Sequence, residues 1–166
     1  MWGFMTTGTI SFLKQLTKKH ETIDFSFLKG GGATLVYYES NKKKSVFVSG
    51  RVYKILYDFK TLKRNGFVVM DHIPVVDDAK DIFENKVKEF LPTLTRAYGI
   101  QTIRFFKPEK SDTYCIMTQW KSEDAYETFL QSSMHDFYEE ATLARHPAYF
   151  AERPFTSTYY MLKEEE

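Results

Sequence analysis

Thr113-Tyr114-Cys115-Ile116-Met117-Thr118-Gln119-Trp120-Lys121-Ser122-Glu123-Asp124-Ala125 sets the architecture of this chain. As far as Trp120 the run is β-branched, aromatic and apolar, which reads as a strand. Ser122 then offers an N-cap hydroxyl, and Glu123 and Asp124 put carboxylates at the positive end of a helix. Just upstream, Ile100-Gln101-Thr102-Ile103-Arg104-Phe105-Phe106 is a second extended run. Pro108 to Asp112 is turn-forming, so the two strands are predicted to pair as a hairpin.

Further upstream, Asn65-Gly66 signals a turn. Phe67, Val69, Asp71, Ile73 and Val75 then alternate with Val68, Met70, His72 and Pro74, a strand period. Asp77-Asp78 opens a helix on which Ala79, Ile82, Phe83, Val87, Phe90, Leu91 and Leu94 share one face. Downstream of Ser122 the helix passes Ala125, Phe129 and Leu130, bends near Ser132-Ser133, and continues from Met134 to about Ala144. His146-Pro147 ends it. Phe155 to Leu162 is a last strand, and residues 164–166 form a solvated acidic tail. The order is β-α-β-β-α-β, the ferredoxin-like unit.

Residues 1–64 read as a degenerate copy of the same plan. Gly3 to Gly8 predicts a strand, and Phe12, Leu13 and Leu16 a short helix. Ile23 to Lys29 and Thr34 to Glu39 predict two strands around the Gly30-Gly31-Gly32 turn. Val52, Ile55, Leu56 and Phe59 fall at helical spacing. One open sheet with helices on a single face leaves its other face uncovered, and a second such sheet supplies the cover. The expectation is therefore α+β: a dimeric ferredoxin-like barrel made by two halves of one chain, residues 1–64 and 65–163. Such a chain is a monomer with an internal pseudo-dimer.

Composition narrows the function classes. The 166 residues include 43% apolar side chains, with 15 Phe and 11 Tyr, enough for a core and an aromatic-lined pocket. Net charge is +1, which does not suit a nucleic-acid binder. Lys42-Lys43-Lys44 is the sharpest basic run and reads as a solvated turn. The single cysteine, Cys115, excludes an intrachain disulfide framework and suits a reducing compartment. No stretch is long and apolar enough to span a bilayer, and Met1 to Thr6 lacks a basic segment ahead of an apolar one. A cytoplasmic location is expected.

Trp120-Lys121-Ser122-Glu123-Asp124-Ala125-Tyr126-Glu127-Thr128-Phe129-Leu130-Gln131-Ser132 resembles the strand-end Trp, helix and Ser of antibiotic-biosynthesis-monooxygenase domains. Phe67 to Val75 resembles their first strand. The overall length and the ending Arg153-Pro154-Phe155-Thr156-Ser157-Thr158-Tyr159-Tyr160 resemble two long groups within that family, the HmoB-type heme-degrading monooxygenases and the TRAP-type signal proteins. The resemblance implies a heme-binding, heme-degrading monooxygenase that opens the porphyrin oxidatively with electrons from an unidentified donor. It also leaves open a non-catalytic signalling or stress protein, or a cofactor-free monooxygenase acting on an aromatic substrate.

The resemblance further implies a ligand set that this sequence alters. A strand Asn is replaced by Asp71, a helix Trp by Phe129 and an axial His by Glu139. Asp for Asn removes a donor and adds charge. His135 lies one helical turn before Glu139, about 5.4–6 Å along the axis, and is the displaced candidate for heme iron. Met70, Met134 and Tyr138, with Phe137, are candidates to line heme or another flat apolar molecule, or else are plain core. Asp71 shares a strand face with Val69 and Ile73. It is either functional or paired with Arg104 or a backbone donor.

Overall fold

The computed structural model describes residues 1–144 and 146–162, so the acidic tail expected at 164–166 lies outside the described residues. Eight strands form one closed barrel in the order β1-β3-β2-β8-β5-β7-β6-β4. The first half supplies β1 (Trp2–Gly8), β2 (Ser26–Lys29), β3 (Thr34–Ser40) and β4 (Arg51–Phe59). The second supplies β5 (Phe67–Pro74), β6 (Ile100–Pro108), β7 (Thr113–Trp120) and β8 (Phe155–Met161). Each half keeps the ferredoxin-like order, fourth-first-third-second: β4-β1-β3-β2 and β8-β5-β7-β6. The halves join edge to edge, β4 on β6 and β2 on β8, all antiparallel. Among the described residues, closure leaves no sheet edge unpaired.

Residues 51–59 are a strand, not the helix their spacing predicted. The cause is a bulge between Ile55 and Tyr57. Tyr53 and Ile55 pack in the barrel interior, while Tyr57 and Phe59 pack outside on the other half's core. One inserted residue breaks the two-residue period and mimics a helical one. The N-terminal half therefore has only α1 (Ile10–Lys18). Where a second helix would follow β3, residues 41–50 run without regular structure. Phe47 from this segment is buried against Phe25 and Tyr38.

Strand alternation sorts the apolar residues into three cores. Met5, Leu28, Leu35, Tyr37, Tyr53, Val68, Met70, Phe106, Cys115 and Met117 fill the barrel. The outer face of β1–β4 packs on α1 around Phe4, Leu13, Val36 and Tyr38. The outer face of β5–β8 packs on α2 (Lys80–Leu94), α3 (Glu123–Leu130) and α4 (Ser133–Ala141) around Phe83, Leu91, Phe105, Ile116 and Trp120. Ser122 caps α3 as its sequence predicts, accepting from Ala125 N at 3.1 Å. Gly99 has φ +79°, and a Cβ there would lie 2.6 Å from that of Ala125. Only glycine fits this approach of β6 to α3.

The segment between the halves is tied across one barrel mouth. Gln119 accepts from Lys63 N at 2.8 Å and donates to the carbonyls of Lys63 and Asn65 at 2.8 and 2.9 Å. Thr102 donates to the Thr61 carbonyl at 3.0 Å, and Arg104 to that of Lys60 at 2.6 Å. Arg104 is buried and pairs across the halves with Glu39, Nε to Oε2 at 2.6 Å. Among the described residues no helix is long and apolar enough to cross a membrane.

Candidate functional site

The chemistry that the sequence singles out gathers beneath α3 and α4. β5 turns Val69, Asp71 and Ile73 toward these helices, and their apolar residues descend onto it. Tyr138 on α4 donates its hydroxyl to Oδ2 of Asp71. Thr156, cross-strand from Asp71 on β8, donates to Oδ1 at 2.6 Å. Asp71 is thus held by two hydroxyls, not by Arg104, which is spent on Glu39. Burial raises its pKa, while the Thr156 and Tyr138 hydrogen bonds and nearby His135 oppose the rise. Burial and the adjacent carboxylate push Tyr138 well above the ordinary phenol value.

Phe129 packs on Trp120 with ring centroids 5.0 Å apart, and meets His135 edge-on at 5.4 Å. The His135 ring lies roughly parallel to that of Tyr138, centroids 6.2 Å apart. Its Nδ1 is 3.1 Å from Oε1 of Glu139. Asp71, Phe129, His135, Tyr138 and Glu139 thus form a graded column, from apolar sheet to wet helix rim. Phe129 and Tyr138 are only 6% and 8% exposed and belong to the core that covers the sheet. Met134 is partly buried on the same core.

Two of the expected lining residues are elsewhere. Met70 points into the barrel, because it alternates with Asp71 along β5. Phe137 is 59% exposed and faces away, beside Phe90 in an open groove between α2 and α4. His72 also faces the barrel. It shares a 2.9 Å hydrogen bond with Ser157 and stacks on Phe155. Cys115 is fully buried, and burial pushes its thiol pKa upward, so it behaves as a small core residue and not a nucleophile.

Sequence reasoning missed Thr156 as the second partner of Asp71. Its only signal is the β5–β8 register, which becomes visible once the strands are paired. For metal chemistry, one ligand atom each from His135, Asp136 and Glu139 lies within 4.8 Å of the other two. These are rim groups, and no buried donor among them requires an ion.

Residues 66–141 match the antibiotic biosynthesis monooxygenase family, as the first-strand and Trp120 motifs imply. The chain is similar to a heme-degrading monooxygenase of Listeria monocytogenes, 26% identical over 131 residues, covering 79% of this chain and 78% of that one. Its fold is that of a major regulator of staphylococcal pathogenesis, with TM-score 0.87 at 22% identity over 98% of this chain and 100% of that one. LmHde, a heme-degrading enzyme from Listeria monocytogenes, superposes with TM-score 0.77 at 21% identity, covering 96% and 99%. All five column residues fall within the matched residues 66–141, and the β8 partner Thr156 lies outside them.

Proposed function

We propose that this protein binds heme, or a flat apolar molecule of similar size, beneath α3 and α4 of its monooxygenase-like half, and oxidises it with dioxygen, an external donor supplying the electrons that reduce the second oxygen atom to water. The observation that carries this reading is the Asp71–Tyr138–His135 column. It places a desolvated carboxylate, a phenol and an imidazole under one short helix, above an apolar sheet face. Similarity to a heme-degrading monooxygenase over most of the chain supports the substrate.

Tyr138 and Phe129 are buried over the sheet and the Tyr138 hydroxyl holds Asp71, so a porphyrin that reaches Asp71 has to displace them. Entry requires Tyr138 to leave Asp71 and α4 to lift. α4 is suited to this. It starts afresh at Ser132 after α3 ends, and Ser132 spends its hydroxyl on the Phe129 carbonyl at 2.6 Å, not on capping α4. Once released, Asp71 offers a carboxylate that Thr156 still orients, and His135 offers an imidazole from the rim. Phe129, backed by Trp120, is the wedge against a flat ring.

The filled site also favours a second reading: a module that keeps the fold and has lost the chemistry, with Asp71, Phe129 and Glu139 at the altered positions. Hemin titration separates the two. The first reading expects a shifted Soret band that His135→Ala weakens. An unchanged spectrum of free hemin supports the second, and a shift indifferent to His135→Ala removes His135 as the iron ligand.

A further inference from the structure

A cleft of about 800 Å³ opens in the N-terminal half and shares no lining residue with the Asp71 column. That volume is in the range that encloses small ligands. It lies beside residues 41–46, where this half lacks the helix that its partner half places after the third strand. Ile23, Val46 and Leu62 give it apolar walls, and Tyr37 and Tyr38 line its inner side.

The basic run Lys42-Lys43-Lys44 divides at this cleft. Lys43 turns outward, pairing with Glu109 and sitting 4.9 Å above the Trp2 ring. Lys42 and Lys44 line the cleft, and among the described residues neither ammonium has an ion pair. The segment that carries them is not a loose turn. Lys42 N donates to the Ser40 hydroxyl at 3.1 Å. Val46 N donates to the Tyr38 hydroxyl at 2.8 Å, which itself donates to the Lys44 carbonyl at 3.4 Å. Phe47 anchors its far end in the core.

The carboxylates of the cleft are already engaged. Glu39 accepts from Arg104 and from Tyr37, and Asp24 pairs with Arg64. What remains is a recess with apolar walls whose lining includes Lys42 and Lys44, neither ion-paired among the described residues, and His20. Such an arrangement selects negative charge at one end of a molecule and apolar surface at the other. We propose that this cleft binds a small amphipathic organic anion: one carboxylate or sulfonate head, held by Lys42 and Lys44, on an aromatic or aliphatic body packed against Ile23, Val46 and Leu62. This site is independent of the heme reading.

The test uses 8-anilinonaphthalene-1-sulfonate as probe and the full chain labelled with 15N. Saturable binding is expected, with amide shifts concentrated at Ser45, Val46 and Leu62. The double variant Lys42→Glu/Lys44→Glu is expected to weaken binding about tenfold and to abolish its salt dependence, with an unchanged circular dichroism spectrum. Lys43→Glu, whose side chain faces away, is the control and should bind as the parent does. Shifts confined to α3 and α4, equal binding by the double variant, or an equal loss in Lys43→Glu would each overturn the proposal. So would the absence of binding to the parent chain.

Discussion

Tyr138 on α4 donates its hydroxyl to the carboxylate of Asp71 on β5, 67 residues earlier in the chain. The contact does two things. It satisfies a carboxylate on an otherwise apolar sheet face, and it pins a short helix over the space where a flat ligand would lie. Fold and candidate function therefore meet in one hydrogen bond, whose removal should move stability and binding in opposite directions.

Tyr138→Phe keeps the ring and deletes the donor. Asp71 then retains only Thr156. The variant should lose about 1–3 kcal/mol of stability in urea denaturation, the usual cost of a buried polar group stripped of a partner. A loss near zero would mean that Asp71 recruits water instead and that the pin is weak.

Asp71→Asn tests the raised carboxyl. A folded-state pKa above the ordinary 3.8 means that the folded protein holds this proton longer than the unfolded chain does. The stability from that proton is complete below pH 3.8 and is lost as pH rises through the raised value. Asn carries no charge to desolvate, so the variant should gain on the parent across that rise. Denaturation curves at pH 3.5 and pH 7 check it, and a gain equal at both pH values contradicts it.

His72 should act with the opposite sign. Burial, aided by the Arg51 guanidinium, pushes its pKa from 6.5 down to about 4. Between those values the unfolded chain binds a proton that the folded protein refuses. The contribution is complete above pH 6.5 and falls as pH drops toward 4, by up to roughly 3 kcal/mol. His72→Gln should flatten the stability profile over that interval. Persistence of the slope would assign it to other groups.

Gln119→Ala tests the tie between the halves. It removes three hydrogen bonds to the segment joining them. At about 1 kcal/mol for each bond, the expected loss is roughly 2–3 kcal/mol. Amide exchange should quicken at Lys63, whose N–H loses its acceptor. Unchanged protection there would show that Arg104 and Thr102 hold the segment without it.

Much of the fold was legible because the C-terminal half obeys its local signals. The alternation of Phe67 to Val75, the Ser122 cap and the break at Ser132-Ser133 each match an observed element boundary. The N-terminal half was readable in strand order but not throughout. The bulge between Ile55 and Tyr57 disguised β4 as a helix, since a bulge depends on the partner strand and not on the residues alone. In the candidate site, the shared face of Asp71 and its apolar neighbours followed from strand period. Its partners did not, because Tyr138 and Thr156 reach it only through tertiary packing. Met70 was assigned to the wrong side by composition, although alternation along β5 places it in the barrel. The cleft beside Lys42 and Lys44 left only the basic run as a trace, and local charge does not say which lysines face inward.

Absorbance titration of hemin into the parent chain and Tyr138→Phe, followed by ascorbate in air, probes the proposed site. The expected result is a one-to-one Soret shift in both proteins, tighter in Tyr138→Phe because the pin is already released, and then loss of the Soret band as the porphyrin opens. A spectrum identical to free hemin in both proteins, or a bound Soret band that survives reductant and oxygen unchanged, would contradict it.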